Sequence, residues 1–141
     1  MLFRSEETDV AVLAVPGLQV ALRFTPEAVD TGADAIVMGY PGGGGLYVGP
    51  ARVRDRGAIS GPDFRATRTV ERDVYALFGQ VRSGNSGGPL LAPDGTVLGV
   101  VFASAIDDPD TGYALTAAQV EGAARQGTTA LATVGTGPCE L

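Results

Sequence analysis

The 141 residues contain no histidine and no lysine; all ten cationic side chains are arginine. Without imidazole the chain supplies neither the usual general base near neutral pH nor a histidine metal ligand. Without lysine it has no phosphate-binding P-loop and no Schiff-base chemistry. A single cysteine, Cys139, excludes an internal disulfide and a thiolate zinc site. Charged residues make up 18%, below the ordinary ~25%. Acids outnumber bases sixteen to ten, for a net charge of −6. A nucleic-acid partner is excluded on that balance, because phosphate backbones want a basic face. The longest apolar run, Val97 to Ile106, is about half of the ~18–20 residues that span a bilayer. No secretory signal pattern opens the chain.

What is present reads as one globular domain. Apolar residues make up 45%, enough for a core. The 21 glycines are about twice the usual share, which suits short strands and tight turns. Strand patterns run over Asp9–Val15, Ala35–Tyr40, Leu46–Asp55, Phe64–Val70, Val74–Phe78 and Gly112–Leu115. A shorter apolar-polar run covers Leu18–Phe24. Pro89–Ala92 and Thr96–Ala105 flank Pro93-Asp94-Gly95, a hairpin signal. Strands at this spacing predict an all-β barrel or sandwich.

One helix is predicted over Ala117–Gln126. Thr116 caps it, Gln119 completes a capping box, and Gly127 is the stop. The tail, 128–141, is rich in Gly and Thr and carries Cys139. Residues 1–8 are set apart as a leader. Leu2-Phe3-Arg4-Ser5 is what one frame of the sequencing adapter CTCTTCCGATCT encodes, so the segment is expected to be an assembly scar on a truncated gene.

The chemistry concentrates in Gly84-Asn85-Ser86-Gly87-Gly88-Pro89-Leu90. A serine nucleophile needs its Oγ on a tight turn, with backbone N–H groups aimed where oxyanion charge develops. Flanking glycines permit the backbone angles that turn those groups inward. This stretch resembles the nucleophile loop of trypsin-like serine proteases. Further stretches agree in order: Thr8-Asp9-Val10-Ala11-Val12-Leu13, Leu98-Gly99-Val100-Val101-Phe102-Ala103-Ser104, and Thr111-Gly112-Tyr113-Ala114-Leu115 followed by a helix. With Met38-Gly39-Tyr40-Pro41-Gly42-Gly43-Gly44 and the Cys139 tail, the likeness is greatest to the membrane-anchored periplasmic MarP-type proteases of actinobacteria.

That resemblance implies the second six-stranded antiparallel barrel of a chymotrypsin-like double barrel, over residues 9–127. A remnant strand of the first barrel and a short C-terminal helix complete it. It implies Ser86 as nucleophile, the N–H groups of Gly84 and Ser86 as oxyanion hole, and Asp9 as triad acid. Gln80, Phe102, Ala103, Ser104, Gly112 and Ala114 would line the substrate pocket. No cofactor is implied. The partners would be a peptide or protein substrate and the missing N-terminal barrel, which would also carry the histidine base and the partner of Cys139. Any membrane contact would run through upstream segments. Asn85 stands where trypsin has an Asp that pairs with a freed N-terminus, so activation of that kind is not expected. Gln80 has no charge to meet a basic side chain, and Phe102 and Ala114 are apolar with Gly112 leaving the wall open. An uncharged, apolar residue of moderate size is therefore expected at the P1 position of the substrate.

Other motifs are weaker. Gly84-x-Ser86-x-Gly88 also fits a hydrolase elbow, which needs a helix directly after the serine; Pro89 and the hairpin leave no room for one. Gly42–Gly45 would cradle phosphate only before a helix, and reads as a mobile substrate-side loop. Asp107, Asp108 and Asp110 are expected to be solvated turn acids rather than a Ca²⁺ site. Arg52, Arg54 and Arg56 share a solvent face. Two classes of function remain: a serine endopeptidase domain lacking its base, and a non-catalytic module that binds peptides.

Overall fold

A computed structural model of the chain describes residues 1–18 and 21–136; Cys139 lies outside them. Six strands close into an antiparallel barrel in the order β3-β4-β5-β8-β7-β6. They are β3 (Asp34–Gly39), β4 (Tyr47–Pro62), β5 (Thr69–Phe78), β6 (Pro89–Leu91), β7 (Val97–Ser104) and β8 (Thr111–Thr116). Two short strands before them, β1 (Phe3–Ser5) and β2 (Val10–Val12), pair with each other. One helix, α1 (Ala117–Thr128), ends the described fold. The residues set apart as a leader thus include a strand, with Phe3 opposite Val12. No described helix is long and apolar enough to cross a membrane.

Alternation explains the barrel. Along β3 and β4 every second side chain turns inward, and the inward set of Val37, Val53, Tyr75, Leu77, Leu90, Leu98 and Val101 forms one buried cluster. Closure comes where β3 meets β6, with Ile36 opposite Leu91 and Val37 opposite Leu90. Closing the sheet removes the unpaired edges an open one would present. A second cluster lies outside the barrel, where Val74, Leu115 and Val120 of α1 pack with Val10, Phe24 and Phe102.

Three expectations change. Of Phe64–Val70 only Thr69 and Val70 are in a strand, the start of β5; before them Asp63 accepts hydrogen bonds from the backbone N–H groups of Arg65 and Thr67 at 3.1 and 2.8 Å, making a turn. β4 and β5 instead form a long hairpin, paired from Arg52–Phe78 to Pro62–Thr69. Leu18–Phe24 forms no strand among its described residues; Phe24 makes only an isolated bridge to Val97. Gly127 does not stop the helix. It lies inside it because a Cβ there would collide with Val12, so glycine is what lets α1 close onto β2.

The helix start is as expected, with the Gln119 N–H donating to the Thr116 hydroxyl at 3.2 Å. The capping box is half formed, because the Gln119 side-chain Oε1 accepts instead from the N–H of Asp73. Asp73 is tied further to this helix end. The Thr116 hydroxyl donates to its carboxylate at 2.9 Å, and Arg56 does so at 2.6 Å. The Arg56 hydrogen bond, helped by Thr116, holds the Asp73 carboxyl below the usual carboxylate range. A depressed acid stabilises the fold above its unfolded value, ~3.9, and loses that contribution as pH falls through the folded value. Asp73→Asn is expected to cost roughly 1–2 kcal/mol at pH 7. It should also flatten the loss of melting temperature below about pH 4, read by thermal scans at stepped pH.

Candidate active site

The nucleophile loop spans Gly79 to Gly88 between β5 and β6. Its course is set by backbone hydrogen bonds. The Asn85 N–H donates to Arg82 O at 2.9 Å, and Gly88 N–H to Asn85 O at 2.9 Å. The loop is tied to β7 by Gly87 N–H to Val101 O, at 2.8 Å, and to the glycine loop after β3 by two more bonds. Tyr40 N–H donates to Gly84 O at 3.2 Å and Gly42 N–H to Ser83 O at 2.9 Å. The segment expected to be a mobile glycine loop is therefore anchored at its start to the nucleophile loop.

Gly84 has φ +99, and a Cβ there would run into Tyr40 O. Only glycine satisfies both the angle and the space. Ser86 follows on the exposed side, and its hydroxyl makes one long bond, 3.4 Å, to Phe102 O on β7. The N–H groups of Gly84 and Ser86 donate to no acceptor among the described residues, whereas those of Asn85, Gly87 and Gly88 are all engaged. Two unspent donors flanking an exposed hydroxyl are the arrangement that can hold a developing oxyanion.

Asn85 between them is fully buried, at 0% exposure. Neither Nδ2 nor Oδ1 of its amide has a partner. Each such atom costs about 1–3 kcal/mol, so the loop is held against a local penalty. What holds it includes close packing: a Cβ on Gly39 would lie 2.8 Å from Asn85 Cα.

Asp9 precedes β2 in a left-handed conformation, φ +55. It is exposed and makes no hydrogen bond or ion pair among the described residues. It opens onto a cavity of about 260 Å³ whose walls include Arg4 and Phe64 but not Ser86. The two are linked indirectly, because Val10 shares the outer apolar cluster with Phe102.

The pocket residues separate into two groups. Gln80 and Ser104 line a cavity of about 410 Å³ with Val81, Arg82, Ala105 and Ile106. Ala114 is in the barrel core, the Phe102 ring is in the outer cluster, and Ala103 is half-buried opposite Tyr113. The opening expected at Gly112 is filled, since a Cβ there would collide with Val81. Of the six residues expected to line the substrate pocket, Gln80 and Ser104 thus share one cavity, and the charged residue of its lining is Arg82. Sequence reasoning passed over Arg82 and Val81, because nothing in their local pattern distinguishes them from loop filler. Asp108 is spent on its own turn, accepting from the Thr111 hydroxyl at 2.7 Å and Asp110 N–H at 3.1 Å. The first of these chiefly depresses its pKa. Among the described residues no cluster of three could hold a metal.

The profile of the trypsin-like peptidase domain matches residues 1–100. The chain belongs to the trypsin-like peptidase family. It is 51% identical over 134 residues to the serine protease Rv3671c of Mycobacterium tuberculosis, covering 93% of this chain and 33% of that protein. The chain thus spans about a third of the length of this curated relative. The crystal structure of the Rv3671c protease in its active form superposes with TM-score 0.91 at 47% identity, over 98% of this chain and 62% of that one. The inactive form superposes with TM-score 0.77 at 46% identity, over 88% and 63%. The double-barrel fold class and the likeness to this protease stand on these matches.

Gly39→Ala is expected to push the Asn85 backbone and destabilise the chain by about 1–3 kcal/mol. Denaturant unfolding would measure it, with Gly45→Ala, whose Cβ would meet nothing, as the neutral control.

Proposed function

We propose that this chain carries the nucleophile, oxyanion donors and substrate pocket of a serine endopeptidase, and that the base is supplied by polypeptide outside these 141 residues. One observation carries the reading: the unspent N–H groups of Gly84 and Ser86 beside an exposed serine hydroxyl. Ser86 attacks the peptide carbonyl and the two amides hold the resulting oxyanion. Asp9 orients the ring of an incoming histidine lying over Phe102 O. Without that base a serine hydroxyl is a poor nucleophile at neutral pH, so the chain alone is inactive on this reading. The share of its relative that the chain covers, 33%, supports a missing part. The same reading puts the whole protein outside the cytoplasm, membrane-anchored through segments beyond these residues; it rests on the likeness to MarP-type proteases.

A fluorophosphonate is expected to label the chain alone weakly or not at all. Joined to the remainder of the Mycobacterium tuberculosis relative, it should label strongly at Ser86, and Ser86→Ala should abolish this. In the joined protein Asp9→Asn should lower the rate by about 10⁴-fold through the wrong histidine tautomer. Equal labelling with and without the added part would defeat the assignment. The absence of histidine favours a second reading, a peptide-binding module without catalysis. Peptide binding by a joined protein that never labels would select it.

On this reading the added part docks on an apolar surface of the chain. Leu13, Val15, Leu18 and Leu22 are exposed large apolar residues between β2 and the barrel. Interfaces between domains of one chain bury about 600–1,500 Å², so leaving this surface wet favours self-association. Sedimentation velocity of the chain alone is expected to show concentration-dependent dimers or larger species; a monodisperse monomer at high concentration would speak against the docking surface.

A further inference from the structure

Arg82 lies on the nucleophile loop, four residues before Ser86, and its guanidinium is seated rather than free. Its Nη2–H donates to Gln80 Oε1 at 2.6 Å, and its Cζ stands 5.9 Å from the Tyr47 ring centroid. The Tyr47 ring in turn lies flat along β4 because residue 49 is glycine; a Cβ there would collide with the Tyr47 hydroxyl. No carboxylate pairs with Arg82 among the described residues. Arg82 and Gln80 line the 410 Å³ cavity together with Ser104. Ser104 is two strand residues beyond Phe102, whose carbonyl meets the Ser86 hydroxyl. That is about 7 Å, the reach of one substrate side chain from the reacting carbon.

The side chains lining the cavity are richer in donors than in acceptors. Arg82 has donors only, and one lone pair of Gln80 Oε1 is taken by it, leaving the Gln80 NH₂ group and one oxygen lone pair. The Ser104 hydroxyl both donates and accepts. A carboxylate, which only accepts, meets donors from all three and the one full positive charge; Lys or Arg meets that charge with its own and finds only the Ser104 and Gln80 oxygens. The turn acids Asp107, Asp108 and Asp110 stand nearby, with Pro109 of that turn in the wall. Asp108 stays ionised on its turn bonds, and the repulsion from exposed Asp107, Asp108 and Asp110 is screened by water and salt, unlike a direct charge-assisted bond.

We propose that Arg82, seated on Gln80 and Tyr47, makes the pocket beside Ser86 a subsite for an acidic side chain of the peptide substrate. This rests on the peptidase reading, which brings the substrate to Ser86. The test uses the 141-residue chain and four fluorescent peptides identical except for a C-terminal Glu, Gln, Leu or Arg, with binding followed by anisotropy. The Glu peptide is expected to bind at least tenfold more tightly than the Gln peptide, and the Arg peptide most weakly. Arg82→Gln should erase the Glu preference, and Arg82→Lys should keep part of it. Gly49→Ala, which displaces Tyr47 without touching Arg82, should reduce it. Thermal melts check that each variant folds, and the Lys and Ala variants carry the test if the Gln variant does not. Equal binding of Glu and Gln peptides, or a preference that survives Arg82→Gln, would overturn the subsite and leave the peptidase reading standing. Failure of all four peptides to bind would overturn the subsite, and absence of labelling at Ser86 in the joined protein would separately overturn the peptidase reading.

Discussion

The seam between β3 and β6 is the contact on which the site depends. These strands are far apart in sequence and antiparallel, with Ile36 opposite Leu91 and Val37 opposite Leu90. What leaves β3 must therefore meet what enters β6. The first is the Tyr40–Gly42 turn and the second is the nucleophile loop, and their backbones bond at Ser83 and Gly84. The same seam that closes the barrel orients the Gly84 peptide. An open sheet with the same loop would leave that peptide free to turn, and the pair of donors at Gly84 and Ser86 would no longer converge.

The cost of this arrangement is concentrated at Asn85, whose amide is buried without partners. Surrounding structure over-determines it: the turn bond to Arg82, the bond from Gly88 and the contact with Gly39 all fix the residue. Local penalties of this kind persist where packing leaves no alternative, and they gather at sites that must hold a fixed geometry. Small residues carry the close approaches here. Gly39, Gly84 and Gly112 each occupy a place where a Cβ would meet a neighbour.

Outside the barrel, α1 ties the N-terminal pair of strands to the core. Its Val120 joins Val74 and Leu115 beneath Val10 and Phe102, and Gly127 lets the helix close on Val12. This second cluster sets the segment carrying Asp9 beside the strand that faces Ser86. The link runs through apolar packing rather than a bond between the two polar groups, so each polar side chain remains available to a third.

Most strands, the hairpin at Pro93-Asp94-Gly95 and the capped helix were legible from local pattern, because alternation and turn chemistry act over a few residues. The glycine-serine loop was legible for the same reason, and its likeness to a protease family followed from contiguous residues. The turn at Asp63 was missed because Phe64–Val70 alternates well enough for a strand, while a side chain to backbone bond overrides the alternation. Where Phe102, Ala114 and Gly112 pack was not legible, because the neighbours of each come from other strands and loops. Phe102 follows Val100 onto the outer cluster, with Val101 turned into the barrel core between them. Sequence by itself determined the fold class, the nucleophile loop and the absence of an imidazole base. Tertiary structure alone decided that Arg82 faces the pocket, that the Gly84 peptide is clamped and that Gly112 is filled, because each depends on contacts between segments distant along the chain.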